Sequence, residues 1–287
     1  MNILYEVFWE LKGDGPSADL VRAAVLGAGT ALCDIVEESG KGAHRISVFF
    51  PRVDAARGLM KAFNAFGLKG VRTKMRVHRR TDWETRWKES WKPFPLTGKI
   101  HVIPLFLKNV KCPRGKVPFY LDTTAAFGTG LHETTRFSAR LIESLGGRFK
   151  TALDVGTGTG ILAAVALLSG ASYVEAFDID AGAVSVARKN LKANQLRCAV
   201  LKVCDVKRYR AVRKFDLVAA NLITHDLVAF KQKIVACVRP GGYLIISGIS
   251  LKNMPLVKKE YNASAGLKCL KVVKGKEWSA FLFQRRP

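Results

Sequence analysis

The stretch LDVGTGTGI, residues 153–161, limits what this chain can fold into more than any other. The apolar run KTALDV leads straight into Gly156, Gly158 and Gly160, and the apolar, alanine-rich ILAAVALLSGA follows at once. A buried strand, a glycine turn and a helix in that order open a unit that holds a nucleotide-like ligand at the carboxyl end of a parallel sheet. The spacing is G-x-G-x-G, whereas a dinucleotide fingerprint wants G-x-G-x-x-G and would need glycine where Ile161 stands. No Lys-Ser or Lys-Thr pair follows the last glycine, so a phosphate-gripping P-loop is excluded. Asp154 would repel a pyrophosphate, but it can accept a hydrogen bond from a cation such as an amino-acid ammonium. Asp178 closes the next strand, YVEAFD, where a carboxylate meets the two hydroxyls of a ribose. A ligand with an ammonium, a ribose and no phosphate is S-adenosyl-L-methionine, so the loop predicts a methyltransferase. Asp205, after the third strand, reads either as a partner for an adenine amino group or as part of a charged loop.

The pattern around the loop agrees. Val/Leu/Ile-rich strands at CAVLKVCD, FDLVAANL and GGYLIISGI alternate with helical stretches, including HDLVAFKQKIVACV read as one helix. That is a doubly covered, mostly parallel sheet. LKCLKVVKGKEWSAFLFQ adds an antiparallel hairpin around a Lys-Gly-Lys turn. The fold expected for residues 96–287 is therefore the Rossmann-like class I S-adenosylmethionine-dependent methyltransferase, a seven-stranded sheet ending in that hairpin. The fourth strand ends in Asn221-Leu222-Ile223-Thr224, at the edge where the accepting atom meets the methyl group. Adenine and glutamine N-methylases show Asn-Pro-Pro-Tyr there, and losing both prolines and the aromatic argues against a flipped base or planar amide. A flexible alkyl amine fits better, provided that it sheds its proton, because a lysine of reference pKa about 10.4 is no nucleophile when charged.

Upstream, residues 1–78 read as βαββαβ, the ferredoxin-like α+β pattern, with its second strand expected near residues 31–37. Phe8 and Phe49 should point away from the helices, joined by Arg72, Lys74 and Arg76 but also by Glu6 and Glu10. This face could dock a protein, stack RNA bases or pack against the linker. Residues 79–95 place Trp83, Trp87 and Trp91 four apart, the spacing of one helix face, before Pro93 and Pro95 stop it. They are expected to form a helical linker.

The net charge of the 287 residues is +24, with 31 Lys/Arg against 12 Asp/Glu after residue 92. A field of that sign favours anionic surroundings such as nucleic acid or a ribosomal particle, and a contact with ribosomal RNA through the basic surface is an open expectation. Six of the residues 202–214 are Lys or Arg, a run that reads as a solvated loop or an RNA contact. No apolar run approaches a membrane span, the start lacks a secretory pattern, and the six cysteines are scattered. A cytoplasmic monomer without a membrane contact or a metal is expected.

A second glycine-rich stretch, AAFGTGLHETTRF at residues 125–137, precedes the loop. Taken in order with the glycine loop, FDIDAGAV and ANLI, it resembles the PrmA family of ribosomal protein L11 methyltransferases. The resemblance implies transfer of methyl groups from S-adenosyl-L-methionine to lysine side-chain and N-terminal amines of ribosomal protein L11, with the N-terminal domain recognising the substrate. It also implies cofactor contacts at Thr135, Gly156, Asp178 and Asn221, with Gly158 in the same loop. Phe127 and Thr129 would belong to a lid strand over the cofactor, and Asn221 would orient the incoming amine. His132 has no second histidine four residues on and reads as structural rather than as a catalytic base. Where the family usually has Asn-Ile-Leu-Ala, this chain has Asn-Leu-Ile-Thr. Two rival readings are a methyltransferase acting on ribosomal RNA and a ribosome-associated binding module with a vestigial pocket.

Overall fold

The computed structural model describes residues 3–11, 18–28, 35–40, 43–68, 70–79, 91–122, 128–262 and 266–287. The chain divides into two compact units, Met1–Trp91 and Lys92–Pro287.

The first unit runs β1 (Ile3–Leu11), α1 (Ala18–Gly27), β2 (Ile35–Gly40), β3 (Ala43–Phe50), α2 (Val53–Asn64) and β4 (Thr73–Arg79). Its sheet has the order β2-β3-β1-β4 with antiparallel neighbours, the ferredoxin-like arrangement. Strand alternation sends Val7, Trp9, Ile46 and Val48 to one face, where they bury against Val21, Val25, Leu59 and Phe63 of the two helices. The second strand starts at Ile35, later than the sequence suggests.

The other face is not the open stacking surface that its aromatics suggest. Phe8 is only 4% exposed. The Arg45 guanidinium lies 3.8 Å from its ring centre, and Glu6 holds Arg45 at 3.1 Å, Ser47 at 2.9 Å and His78 at 2.7 Å. An arginine from the neighbouring strand thus occupies the ring face that a base would need. Arg72 lies just before β4, off the strand. Most of the linker, with Trp83 and Trp87, lies outside the described residues, whereas Trp91 is buried.

The second unit opens with a small sheet of β5 (Phe94–Pro95), β6 (Ile100–Pro104) and β7 (Val117–Leu121). Then come α3 (Glu133–Ser144), β8 (Thr151–Val155), α4 (Ile161–Leu168), β9 (Tyr173–Asp178), α5 (Ala181–Ala193), β10 (Ala199–Val203) and β11 (Phe215–Asn221). The chain ends with α6 (Thr224–Ala229), α7 (Lys231–Ala236), β12 (Val238–Ser250), α8 (Met254–Asn262), β13 (Leu267–Lys274) and β14 (Trp278–Arg285). The main sheet has the order β10-β9-β8-β11-β12-β14-β13, with every strand parallel except β14, which runs against its neighbours β12 and β13. This is the expected seven-stranded fold with its terminal hairpin.

Both faces of the sheet are covered, which explains the unbroken apolar runs. Ala152, Val174, Leu217 and Ile245 meet Leu141, Leu162, Val165 and Leu191 on one side. Val155, Val218 and Ile246 meet Leu227, Ile234 and Val257 on the other. The helix read over HDLVAFKQKIVACV is two, because Phe230 leaves helical geometry at φ −103 and ψ 9. Helix α8 escaped the sequence reading; Tyr261 on it is buried and donates to the Leu227 carbonyl at 2.8 Å. Among the described residues no helix is long and apolar enough to cross a membrane.

Candidate active site

Strand order reverses between β8 and β11, and a cleft of about 640 Å³ opens at the carboxyl ends of the strands there, where open α/β sheets hold ligands. Gly156 and Gly158 form its floor. Gly156 sits at φ +73, and a side chain there would come within 2.5 Å of the Leu222 Cδ2 atom, so the turn requires glycine at this position.

Asp178 lines the cleft from the end of β9. Its Oδ2 accepts from the Gly158 amide at 2.9 Å and its Oδ1 from the Asp180 amide at 3.1 Å. The carboxylate therefore ties the glycine turn to β9. The next residue, Ile179, is exposed into the cleft and offers an apolar surface for a flat ring. Beside it, the loop after β10 contributes Cys204, Asp205, Val206 and Lys207; the Cys204 amide donates to the Asp178 carbonyl at 2.8 Å, and Asp205 Oδ1 accepts from the Lys207 amide at 2.8 Å. Asp226 and Phe230 also line the cleft, with Lys207 Nζ 5.9 Å from the centre of the Phe230 ring.

Asp154 stands one layer deeper and does not line the cleft. It is 2% exposed, with Oδ2 accepting from Thr157 Oγ1 at 2.7 Å and the Ala163 amide at 3.1 Å. Burial pushes its pKa up to about 6, against the pull of those two hydrogen bonds. Its other oxygen is buried with no hydrogen-bond partner in the protein. An unsatisfied carboxylate oxygen behind the glycine turn fits the cationic end of an amino-acid-bearing cofactor.

Asn221 closes β11 and lines the cleft. Its Nδ2 donates to Thr135 Oγ1 at 3.4 Å, which leaves the amide oxygen for a donor in the cleft. Thr135 itself is buried on the first turn of α3, behind Asn221 rather than at the cleft surface. Its neighbour Thr134 lines the cleft, and the Thr134 carbonyl accepts from Ser247 Oγ at 3.1 Å. His132 caps α3, its Nδ1 accepting from the Thr134 amide at 3.4 Å, and its ring stands edge-on to Trp278 at 5.2 Å. Both aromatic rings face the cleft.

The stretch leading into α3 rests on the glycine loop. Thr159 Oγ1 donates to the Gly128 carbonyl at 2.6 Å, and Asn190 Nδ2 donates to the carbonyls of Thr159 at 2.8 Å and Asp122 at 3.0 Å. No strand forms over residues 128–132; the backbone turns directly into the cap. Thr129 is half-buried and uses its Oγ1 on the Leu131 amide at 3.4 Å, and it does not line the cleft. Phe127 lies outside the described residues.

Of the residues singled out in the sequence, Gly156, Gly158, Asp178, Asp205 and Asn221 thus share one cleft, with Asp154 and Thr135 supporting it from behind. Ile179 could have been found as the residue following the ribose acid. Trp278, Asp226 and Phe230 carry no local signal.

A model of the family described as ribosomal protein L11 methyltransferase (PrmA) matches residues 23–286. The chain is 32% identical over 292 residues to the ribosomal protein L11 methyltransferase of Geobacter sulfurreducens, spanning 99% of this chain and 94% of that protein. It is 36% identical over 208 residues to the protein of the same name from Geobacter metallireducens, spanning 72% of this chain and 67% of that one. Among solved structures, a ribosomal protein L11 methylase from Lactobacillus delbrueckii subsp. bulgaricus aligns with a TM-score of 0.63 at 25% identity, over 69% of this chain and all of that one. The chain belongs to the ribosomal protein L11 methyltransferase (PrmA) family, with S-adenosyl-L-methionine as its methyl donor.

Proposed function

We propose that this chain methylates lysine side-chain and N-terminal amines of ribosomal protein L11, in the cytoplasm and as a monomer. The observation that carries this is Asn221, held by Thr135 at a cleft edge lined by Leu222, Ile223 and Trp278. A planar base or amide would want an aromatic on each face at that edge, whereas an alkyl amine needs an acceptor and a dry, narrow approach. The bound donor supplies an electrophilic methyl group on a sulfonium.

The protein supplies position. Asp178 and the Gly156 to Gly158 backbone would hold the ribose and amino-acid parts, and the unpartnered oxygen of Asp154 would favour the ammonium end. Asn221 Oδ1 would accept one N–H of the incoming amine and so orient its lone pair. Asp178, Asp205 and Asp226 outnumber Lys207 in the cleft lining, which draws in a cationic amine, and apolar Leu222, Ile223 and Phe230 then strip its water and favour the neutral, nucleophilic form. The proton leaves to solvent. Rate enhancement comes from alignment, with no covalent intermediate. The N-terminal unit serves substrate recognition, supported by the exposed Glu10, Lys74 and Arg76 on its helix-free sheet face.

The experiment is incubation of the purified chain with labelled S-adenosyl-L-methionine and either ribosomal protein L11 or protein-free ribosomal RNA, read by intact mass and label incorporation. Methyl increments on the protein are expected. Efficient label on the naked RNA with none on the protein would overturn the substrate assignment.

A further inference from the structure

Four consecutive residues, 132–135, each reach a different part of the cleft around Asn221. The His132 ring meets Trp278, the Thr134 carbonyl takes Ser247 Oγ, and Thr135 Oγ1 takes Asn221 Nδ2. Glu133, which opens α3 between them, does not line the cleft. Its carboxylate reaches the turn that joins β13 to β14, 143 and 144 positions along the chain. There Oε1 accepts from the Lys276 amide at 3.2 Å and Oε2 from the Glu277 amide at 3.5 Å.

The fit is close. A Cβ on Gly275 would come within 2.5 Å of Glu133 Oε2 and 2.6 Å of the Phe137 ring. The Lys276 amide, followed by those of Glu277 and Trp278, holds the Glu133 carboxyl below the usual carboxylate range, against the opposite effect of desolvation. Two further bonds complete the turn: the Leu251 amide donates to the Glu277 carbonyl at 2.9 Å, and the Gly275 amide to the Trp278 carbonyl at 2.8 Å. The helix dipole by itself favours an acid in a first turn, and a carboxylate facing solvent would satisfy it. Here both oxygens are committed to main-chain amides of a distant hairpin.

That hairpin delivers Trp278 to the cleft. Trp278 is the first residue of β14, paired with Ser250 at the end of β12, and it lies one residue beyond the last pair with β13, Lys274 to Ser279. Its ring therefore stands where sheet pairing runs out and the turn takes over. In the sheet order β14 is on the Asn221 side of the switch point, with Asn221 paired to Ser247 and Ser247 to Ala280, whereas Asp178 is on the other side. A shift of the turn would thus move a wall of the acceptor end and leave the Asp178 end in place.

We propose that Glu133 is a positioning residue for methyl transfer: by holding the turn at residues 275–277 it sets where the Trp278 ring stands in the cleft, and so governs use of the acceptor amine but not binding of the cofactor. This rests on the assignment of ribosomal protein L11 as the acceptor.

Three variants separate reach from charge. Glu133→Ala removes both, Glu133→Asp keeps an acid in the first turn but withdraws it from the amides by one methylene, and Glu133→Gln keeps the reach and one acceptor oxygen without the charge. Each is compared with wild type for KM and kcat on ribosomal protein L11, for cofactor affinity by calorimetry and for melting temperature. Labelling with 5-fluorotryptophan reports the Trp278 environment by fluorine NMR, its signal assigned with Trp278→Phe. The acceptor KM should rise by about fivefold in the Ala and Asp variants, the scale of one lost hydrogen bond, with a shifted Trp278 signal and unchanged cofactor affinity. Glu133→Gln should recover most of the loss, and Glu133→Ala should add nothing to the KM of Trp278→Leu. Should the Ala variant fail to fold, the Asp and Gln variants carry the comparison. Wild-type KM in Glu133→Asp would overturn the proposal, because charge at the helix start would then suffice. So would full additivity with Trp278→Leu, or a loss of cofactor affinity equal to the loss in acceptor use. No methyl transfer to L11 by the wild type, with the Trp278 signal shifted in the Ala and Asp variants and kept in Gln, would retain the clamp and overturn the acceptor assignment instead.

Discussion

A side chain on Gly248 would bring its Cβ within 2.0 Å of the Leu222 carbonyl oxygen. Gly248 sits at φ +88, where the register of β12 on β14 shifts, and this lets the strand press against the end of β11. The acceptor edge after Asn221 is thus shaped by a glycine on the neighbouring strand.

Gly248→Ala should destabilise the protein by about 3 kcal/mol, combining a backbone clash with left-handed strain. Gly241 has a comparable φ of +73 but open space around it, so Gly241→Ala should cost only about 1 kcal/mol. Thermal unfolding of both variants checks this. Indistinguishable melting would mean that the Leu222 contact relaxes freely.

Thr135 positions Asn221 from behind. Removing the hydroxyl with Thr135→Val takes away an acceptor worth about 1 kcal/mol, and the turnover rate should fall by roughly fivefold while cofactor affinity holds. Steady-state kinetics beside calorimetry separate the two effects. A drop in cofactor affinity at constant turnover would place Thr135 against the cofactor instead.

Asp178 has two tasks, and two variants separate them. Asp178→Ala should weaken cofactor binding by about 1 to 3 kcal/mol, the range for losing a charged hydrogen-bond partner. Asp178→Asn keeps an oxygen for the Gly158 amide and should hold the turn, recovering part of the loss. If both variants bind the cofactor as wild type does in calorimetry, the ribose lies elsewhere.

The Asp154 carboxyl, raised by burial to about 6 from 3.8, binds its proton more tightly in the folded chain than in the unfolded one. Between about pH 4 and 6 the folded state holds more protons, so this residue's contribution to stability falls as pH rises, by about 3 kcal/mol over the window. Asp154→Asn keeps an acceptor for Thr157 and Ala163 and should flatten that slope, melting above wild type near pH 7. Because an ammonium favours the ionised carboxylate, wild-type cofactor affinity should rise from pH 5 to 7 and that of the variant should not. A wild-type-like pH dependence in the variant would count against both statements.

The alternation of Val7, Trp9, Ile46 and Val48 and the apolar runs flanking Gly156 to Gly160 made both folds legible, because burial imposes a period on residues close in the chain. Asp178 and Asn221 were legible for the same reason, since each ends a strand whose limits are local. Trp278 was not: it reaches the cleft because β14 pairs antiparallel with β12, the edge strand β13 having been laid outside it. Phe230 faces the cleft only because the helix breaks there, and Arg45 covers Phe8 only through the pairing of β1 with β3. Likewise, Thr135 lies behind Asn221, 86 positions away in sequence. The sequence alone determined which strands and glycine turns the site has, and the acid that ends β9. Only the tertiary structure decided which distant side chains close over them, because strand order and register depend on packing summed over the whole sheet and leave no mark on the residues nearby.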